Sequence, residues 1–321
     1  CNYKIAGGIH DNAAHGHVVV FCGKSGKGDF TMHDEEKDLI EQLARDFENV
    51  IVILNVCGPV ATKEYADNPG IGAVLYPMFS GSVAGEVLTD ILLGKRYPSG
   101  HLQDTLAESI DDYPSTETFR ESLDYVNYTE DIFVGYRYFE TFCPEKVVYP
   151  FGFGLSYTTF AVTKEDAVLE KNTVRLTVKV KNIGSFAGKE VVQAYLTAPQ
   201  GKLGKAKKVL CAFGKTKELA PGEETVLKLH FDIRQFGSFD DLGKVCKSAF
   251  LLEQGDYTVS VGTNVRETVP YLTFTLDTDV ICKQCHSYLS PKELPERLTA
   301  DGTMEKLPAA SSVPHKPVGY K

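Results

Sequence analysis

Two short, unbroken apolar runs, residues 17–22 (HVVVFC) and 49–56 (NVIVILNV), flank a stretch in which Leu39, Ile40, Leu43, Ala44 and Phe47 recur at helical spacing. Unbroken runs of this length predict strands buried on both faces of a parallel sheet, with a helix between them. Thr31 and Asp34 resemble a capping box at the start of that helix. A third run, residues 71–76, is followed by Val87, Leu88, Ile91 and Leu92 on one helical face, and Gly94 marks the stop. Strand, helix, strand, then strand and helix predict an α/β sandwich domain: a mostly parallel sheet with flanking helices.

From residue 160 the period changes to two. Val174, Leu176, Val178 and Val180 alternate with polar neighbours, and residues 191–196, Val226 to Phe231, and Tyr257, Val259 and Val261 make further strand-like runs. Turn signals such as Asn182-Ile183-Gly184 and Pro221-Gly222 separate them. Several short strands in about 110 residues predict an antiparallel β-sandwich of the immunoglobulin kind. Pro291, Pro295, Pro308, Pro314 and Pro317 then punctuate a region of little periodicity, which predicts an extended tail or linker. The expected units are therefore 1–160, 161–278 and 279–321. The first is expected to be shortened at its start, because only about sixteen residues precede the first strand.

At 321 residues the chain is long enough for two cores at about 150 residues each. Its formal net charge of −9 repels phosphate backbones and anionic headgroups, so nucleic acid is not an expected partner. No run approaches the roughly 18 apolar residues of a membrane span, so no membrane location is expected. Eight cysteines are sparse for this length, and Cys22 and Cys57 lie inside apolar runs as small core side chains. A reduced, cytoplasmic setting is expected, in which the sequon Asn127-Tyr128-Thr129 stays silent.

Several constellations admit a chemical reading beside a plainer one. Gly23-Lys24-Ser25-Gly26-Lys27-Gly28 follows a strand, as a phosphate-binding loop does, but Lys27 is followed by Gly28 rather than a hydroxyl residue opening a helix. A surface loop is the stronger reading. Cys282-Lys283-Gln284-Cys285-His286 has the spacing of haem attachment, yet it falls in the expected tail, with no core to enclose a macrocycle. His10, His15 and His17 share no helical face, and Asp34-Glu35-Glu36 complement a helix macrodipole. No cofactor or metal is expected. Trp is absent, so any sugar contact must use Tyr or Phe, and a free-standing lectin is disfavoured.

Residues 128–139 (YTEDIFVGYRYF) and 149–158 (YPFGFGLSYT) strongly resemble the C-terminal half of glycoside hydrolase family 3 enzymes, notably β-glucosidases. The resemblance extends to 54–60 (LNVCGPV), 90–102 (DILLGKRYPSGHL), 188–195 (GKEVVQAY), 218–222 (ELAPG) and 255–262 (GDYTVSVG), over nearly all of 17–278. It implies an α/β sandwich domain followed by a fibronectin type III-like domain. In the family both accompany a (β/α)₈ barrel that holds the sugar pocket and the nucleophilic Asp, while the α/β domain supplies a Glu as acid/base for retaining hydrolysis.

This sequence departs from that pattern in two ways. No residues remain for eight βα units, which occupy about 250 residues. In addition, the family's acid/base loop reads like S-G-E-G-x-D-R before G-D-F, whereas Ser25-Gly26 runs directly into Lys27-Gly28-Asp29-Phe30. The acid/base Glu expected between Ser25 and Asp29 is missing, and aligning Lys27 there puts an ammonium where a carboxyl is needed. No catalytic residue is therefore assigned. In relatives with permuted order the barrel follows these domains, and residues 296–303 (ERLTADGT) read either as the start of such a connection or as a terminal extension.

The resemblance implies the non-barrel portion of a retaining β-glucosidase-like hydrolase, incomplete or inactive alone: either a fragment whose barrel is elsewhere or a degenerate chain that has lost its catalysis. Such a chain would meet carbohydrate only through a barrel and would associate with a separate barrel chain or with itself. The competing readings are a non-catalytic scaffold or adhesion protein built from the same two domains, and a nucleotide-binding α/β protein.

Overall fold

The computed structural model describes residues 30–32, 34–56, 58–78, 80–118, 125–286 and 294–308. Helix α1 (Asp34–Asp46) opens with Asp34, Glu35 and Glu36 in its first turn, where carboxylates offset the unpaired N–H groups. It leads to β1 (Val50–Ile53), the short helix α2 (Lys63–Ala66) and β2 (Ile71–Leu75), and β1 pairs with β2 in parallel as the sequence predicts. Val52, Leu54, Val56, Val60, Val74 and Ile40 pack around Tyr65 in one apolar cluster. Gly70 permits close approach to α1, since a Cβ there would lie 2.8 Å from Ala44 Cβ.

Burial of β1 on both faces is not found among the described residues: Ile51 and Ile53 are 50% and 40% exposed. Residues 17–22, the expected neighbouring strand, lie outside the described residues. The predicted face of α1 is also only partly inward, with Ile40 in the cluster and Phe47 exposed. Helix α3 (Ala84–Leu92) ends as predicted at Gly94, whose φ of 69° few other residues adopt without strain. A small antiparallel pair, β3 (Leu106–Ala107) and β4 (Val147–Tyr149), frames helix α4 (Tyr136–Phe142).

The second half is an antiparallel β-sandwich. One sheet runs β5 (Phe160–Glu170), β6 (Thr173–Asn182), β9 (Glu224–Asp232). The other has the order β13 (Thr268–Leu276), β12 (Gly255–Gly262), β7 (Val191–Thr197), β8 (Val209–Lys215). Val174, Leu176, Val178 and Val180 of β6 all turn inward, against Val192, Ala194 and Leu196 of β7 and Tyr257, Val259 and Val261 of β12. The predicted turn after β6 is fixed by Asn182, whose buried amide donates to Phe186 O and Leu219 O at 2.7 and 2.9 Å. Its carbonyl oxygen accepts from Thr158 at 2.7 Å and from the Gly184 N–H at 3.1 Å. Strand β7 departs from simple alternation: Val192 to Leu196 are all buried, because both of its faces are covered.

The region expected as a tail is structured in part. Strand β14 (Val280–Gln284) pairs antiparallel with β11 (Ala249–Leu252), which also pairs with β10 (Ser238–Asp240). Strands β15 (Glu296–Leu298) and β16 (Met304–Lys306) form a hairpin. Leu298 N–H donates to Thr129 O at 2.7 Å, and Arg297 meets Asp241, Asp131 and Glu305 at 2.9, 3.3 and 3.3 Å. The hairpin is held by backbone pairing and ion pairs, whereas β14 also seats Val280 and Cys282 on the sandwich core. Among the described residues no helix is long and apolar enough to cross a membrane, and Cys143, Cys211, Cys246, Cys282 and Cys285 are free thiols.

A chain ended at residue 278 loses one of the two partners of β11 together with Val280 and Cys282, which pack against the sandwich core. Its thermal midpoint is expected to fall by roughly 5 °C or more, at about 2–4 °C per kcal/mol for this size. An unchanged midpoint in differential scanning calorimetry would make this segment an ornament.

Candidate functional site

In open α/β sheets, ligands gather at the carboxyl ends of parallel strands. The loop expected to carry the acid/base group, between Ser25 and Asp29, lies outside the described residues, as do the Gly23 to Gly28 turn, Lys27, His10, His15, His17, Cys22 and Cys57. The point where that loop re-enters is fixed. Phe30 is buried with Ala61 and Ile110, its carbonyl accepts the Ala61 N–H at 2.7 Å, and its ring meets Tyr113 edge-on at 5.8 Å. Ala61 lies between β1 and α2, so Phe30 is tied to the edge that follows β1.

That edge is tied down by phenols. Tyr76 OH donates to Gly58 O at 2.5 Å and Tyr65 OH to Ala61 O at 2.7 Å, with burial pushing the Tyr65 phenol well up. Lys63 and Glu108 pair at 2.6 Å, and this bond holds the exposed Glu108 carboxyl low. Of the acidic trio at the start of α1, Glu35 is exposed and Glu36 is buried. Asp104, which the sequence analysis did not single out, has its carboxyl pushed up by burial, and its neighbour Gln103 reaches Met78 Sδ beyond β2 at 3.7 Å. Among the described residues no group of three or more His, Cys, Asp or Glu side chains is placed to hold a metal ion. Cys282 and Cys285 do not lie in a loose tail. Cys282 packs on the sandwich core, which raises its thiol, and the Cys285 N–H donates to Ser248 O at 2.8 Å.

A second constellation lies where the α/β part meets the sandwich, and most of the family-like motifs converge there. The strap around Phe151 to Tyr157 is gripped from both sides. Gly152 N–H donates to Leu102 O and Leu102 N–H to Phe153 O, each at 2.8 Å, while Val265 N–H donates to Phe151 O at 3.1 Å. Gln193 of β7 donates to Gly152 O at 3.1 Å and Thr263 O at 2.6 Å, and accepts from Tyr195 OH at 2.5 Å. Tyr136 stacks on Phe151 with centroids 4.5 Å apart, lies edge-on to Tyr195 at 6.2 Å, and accepts the Leu210 N–H at 2.9 Å. Arg266 donates to Glu140 at 2.8 Å and Pro144 O at 2.6 Å. This is the second face of β7, and its chemistry is adhesion between two cores.

The sequence profile described as "Glycosyl hydrolase family 3 C-terminal domain" matches residues 8–157, and that of the "Fibronectin type III-like domain" matches 190–265. The chain belongs to glycosyl hydrolase family 3. It carries that family's C-terminal domain followed by the fibronectin type III-like domain. It is 45% identical to "Beta-glucosidase A" of Butyrivibrio fibrisolvens over 306 positions, covering 89% of this chain and 37% of that protein. It is also 42% identical to "Beta-glucosidase" of Ruminococcus albus over 278 positions, covering 86% and 29%. Among solved structures, a β-glucosidase from Paenibacillus barengoltzii superposes with a TM-score of 0.81 at 39% identity, covering 87% of this chain and 32% of that one. The chain thus spans about a third of the length of the relatives it matches.

Gly152 has φ 80°, and a Cβ there would overlap the Gln193 amide. Gly152→Ala is expected to cost about 1–3 kcal/mol from the backbone alone, and more from the displaced amide. Tyr136→Phe leaves the Leu210 N–H without its acceptor, at about 1–3 kcal/mol. Urea unfolding of both variants measures this, and near-wild-type midpoints for both would show that the seam does not hold the fold.

Proposed function

We propose that this family 3 chain is the non-barrel portion of a retaining β-glucosidase-like hydrolase that works in carbohydrate breakdown with a (β/α)₈ barrel, and that it does not hydrolyse glycosides alone. The observation that carries this reading is the 45% identity to a β-glucosidase across 89% of the chain. In the proposed assembly the barrel supplies the sugar pocket and the nucleophile, either on a separate chain or on a continuation of this one. The α/β domain contributes the loop that re-enters at Phe30. A cytoplasmic location is proposed with it.

Retaining hydrolysis uses two carboxyl groups about 5–5.5 Å apart: one attacks the anomeric carbon and the other protonates the leaving oxygen, then activates water. The run Ser25-Gly26-Lys27-Gly28-Asp29 contains no Glu. Proton donation contributes about 10²–10⁴-fold, so a partnered barrel lacking it should still cleave substrates whose leaving group departs without a proton.

The test is hydrolysis of dinitrophenyl and alkyl β-glucosides by the purified chain, alone and mixed with a family 3 barrel. The expected result is no turnover alone, and with the barrel, turnover of the dinitrophenyl substrate but about 10²–10⁴-fold slower turnover of the alkyl one. Turnover by the chain alone that vanishes in Glu35→Ala or Glu36→Ala would overturn the reading, because a carboxylate at the start of α1 would then be the acid. Failure to bind any barrel would favour the scaffold reading.

A further inference from the structure

His101 stands on the α/β side of the seam with its side chain 11% exposed, and both ring nitrogens meet oxygen. Nδ1 lies 2.5 Å from Gly152 O, and Nε2 lies 3.1 Å from Glu190 Oε1, a residue of the sandwich just ahead of β7. A carbonyl oxygen can only accept, so Nδ1 must carry hydrogen. That same oxygen also takes a hydrogen bond from the Gln193 amide, so it has no further role to offer. Neutral imidazole has one N–H, and once Nδ1 holds it, Nε2 turns a lone pair toward the Glu190 carboxylate. Only the imidazolium, with two N–H groups, satisfies both neighbours.

We propose that His101 is a proton-dependent pin between the two domains, clamping Glu190 of the sandwich to the Gly152 strap when protonated and releasing Glu190 when neutral.

The surrounding charges permit this. Glu190 is the anion facing the ring, and its carboxylate also accepts the Val191 N–H at 2.7 Å. Lys215 of β8 opposes the imidazolium, but its ammonium is engaged with Ser99 O at 2.6 Å. Lys189 adds a second cation near Lys215. The Gln193 amide is neutral and spent on Gly152 O and Thr263 O. Burial depresses the imidazolium, yet the hydrogen bonds to Glu190 and Gly152 outweigh it, and His101 is held above the ordinary histidine value of 6.5.

A group whose folded pKa is raised stabilises the fold fully below its unfolded value and loses that stabilisation as pH rises through its folded value. The unfolding constant should therefore rise by up to about tenfold per pH unit between the two pKa values. The experiment combines nuclear magnetic resonance titration of the His101 ring in the full chain with urea unfolding from pH 5.5 to 9. His101 is expected to titrate above 6.5, to move down in Glu190→Gln, and to account for a loss of stability above neutral pH. That loss should flatten in His101→Gln, which does not titrate, and in His101→Arg, which stays charged. A folded-state value at or below 6.5, or an unchanged pH slope in both variants, overturns the proposal. Should the variants fail to fold, the wild-type titration decides it alone. None of these readings depends on glycosidase activity.

Discussion

The carbonyl of Gly152 is the point on which the two halves of the molecule agree. It accepts from His101 on one side and from Gln193 of β7 on the other, within a strap whose backbone pairs with Leu102 and Val265 in opposite directions. The strap reaches this position only because residue 152 adopts φ 80° with no Cβ, which leaves room for the Gln193 amide. Buried polar groups that were each half satisfied would cost more than an apolar seam, so this network holds only as a whole. Its members sit in runs far apart along the chain.

Strand β7 records the same constraint. Val192, Ala194 and Leu196 face the sandwich core, whereas Gln193 and Tyr195 face the strap, so five consecutive residues are buried. A β-sandwich strand ordinarily leaves one face to water. Here the second face is an interior made of Tyr136, Phe151 and the Gly152 carbonyl. Long motifs in this chain are thus long because they are fitted on two sides at once. Their length speaks to how the domains are joined.

Packing fixes other parts of the chain in the same way. The Phe30 anchor and the phenol bonds of Tyr65 and Tyr76 brace the edge where the α/β loop returns. The β15–β16 hairpin adds a third brace. Its Arg297 ties the 128–137 segment to Asp241 of the sandwich along the wall of a groove of about 1490 Å³.

Side-chain patterning by itself determined the parallel pair, the stop at Gly94, the inward row of β6 and the Asn182 turn, since each is written in neighbouring residues obeying one period. The family likeness was also legible, because it is a matter of residue order along a line. The hairpin has no hydrophobic period to read, because backbone pairing and the ion pairs of Arg297 with Asp131 and Asp241 hold it, and the alternation of Val280 and Cys282 on β14 is too short to predict a strand. The pairing of His101 with Glu190 could not be foreseen, nor could the double burial of β7. The sequence lists which groups can donate and accept, but only the tertiary fold brings residues 101, 152 and 190 within hydrogen-bonding distance, and burial there turns an ordinary histidine into one whose proton has a structural task.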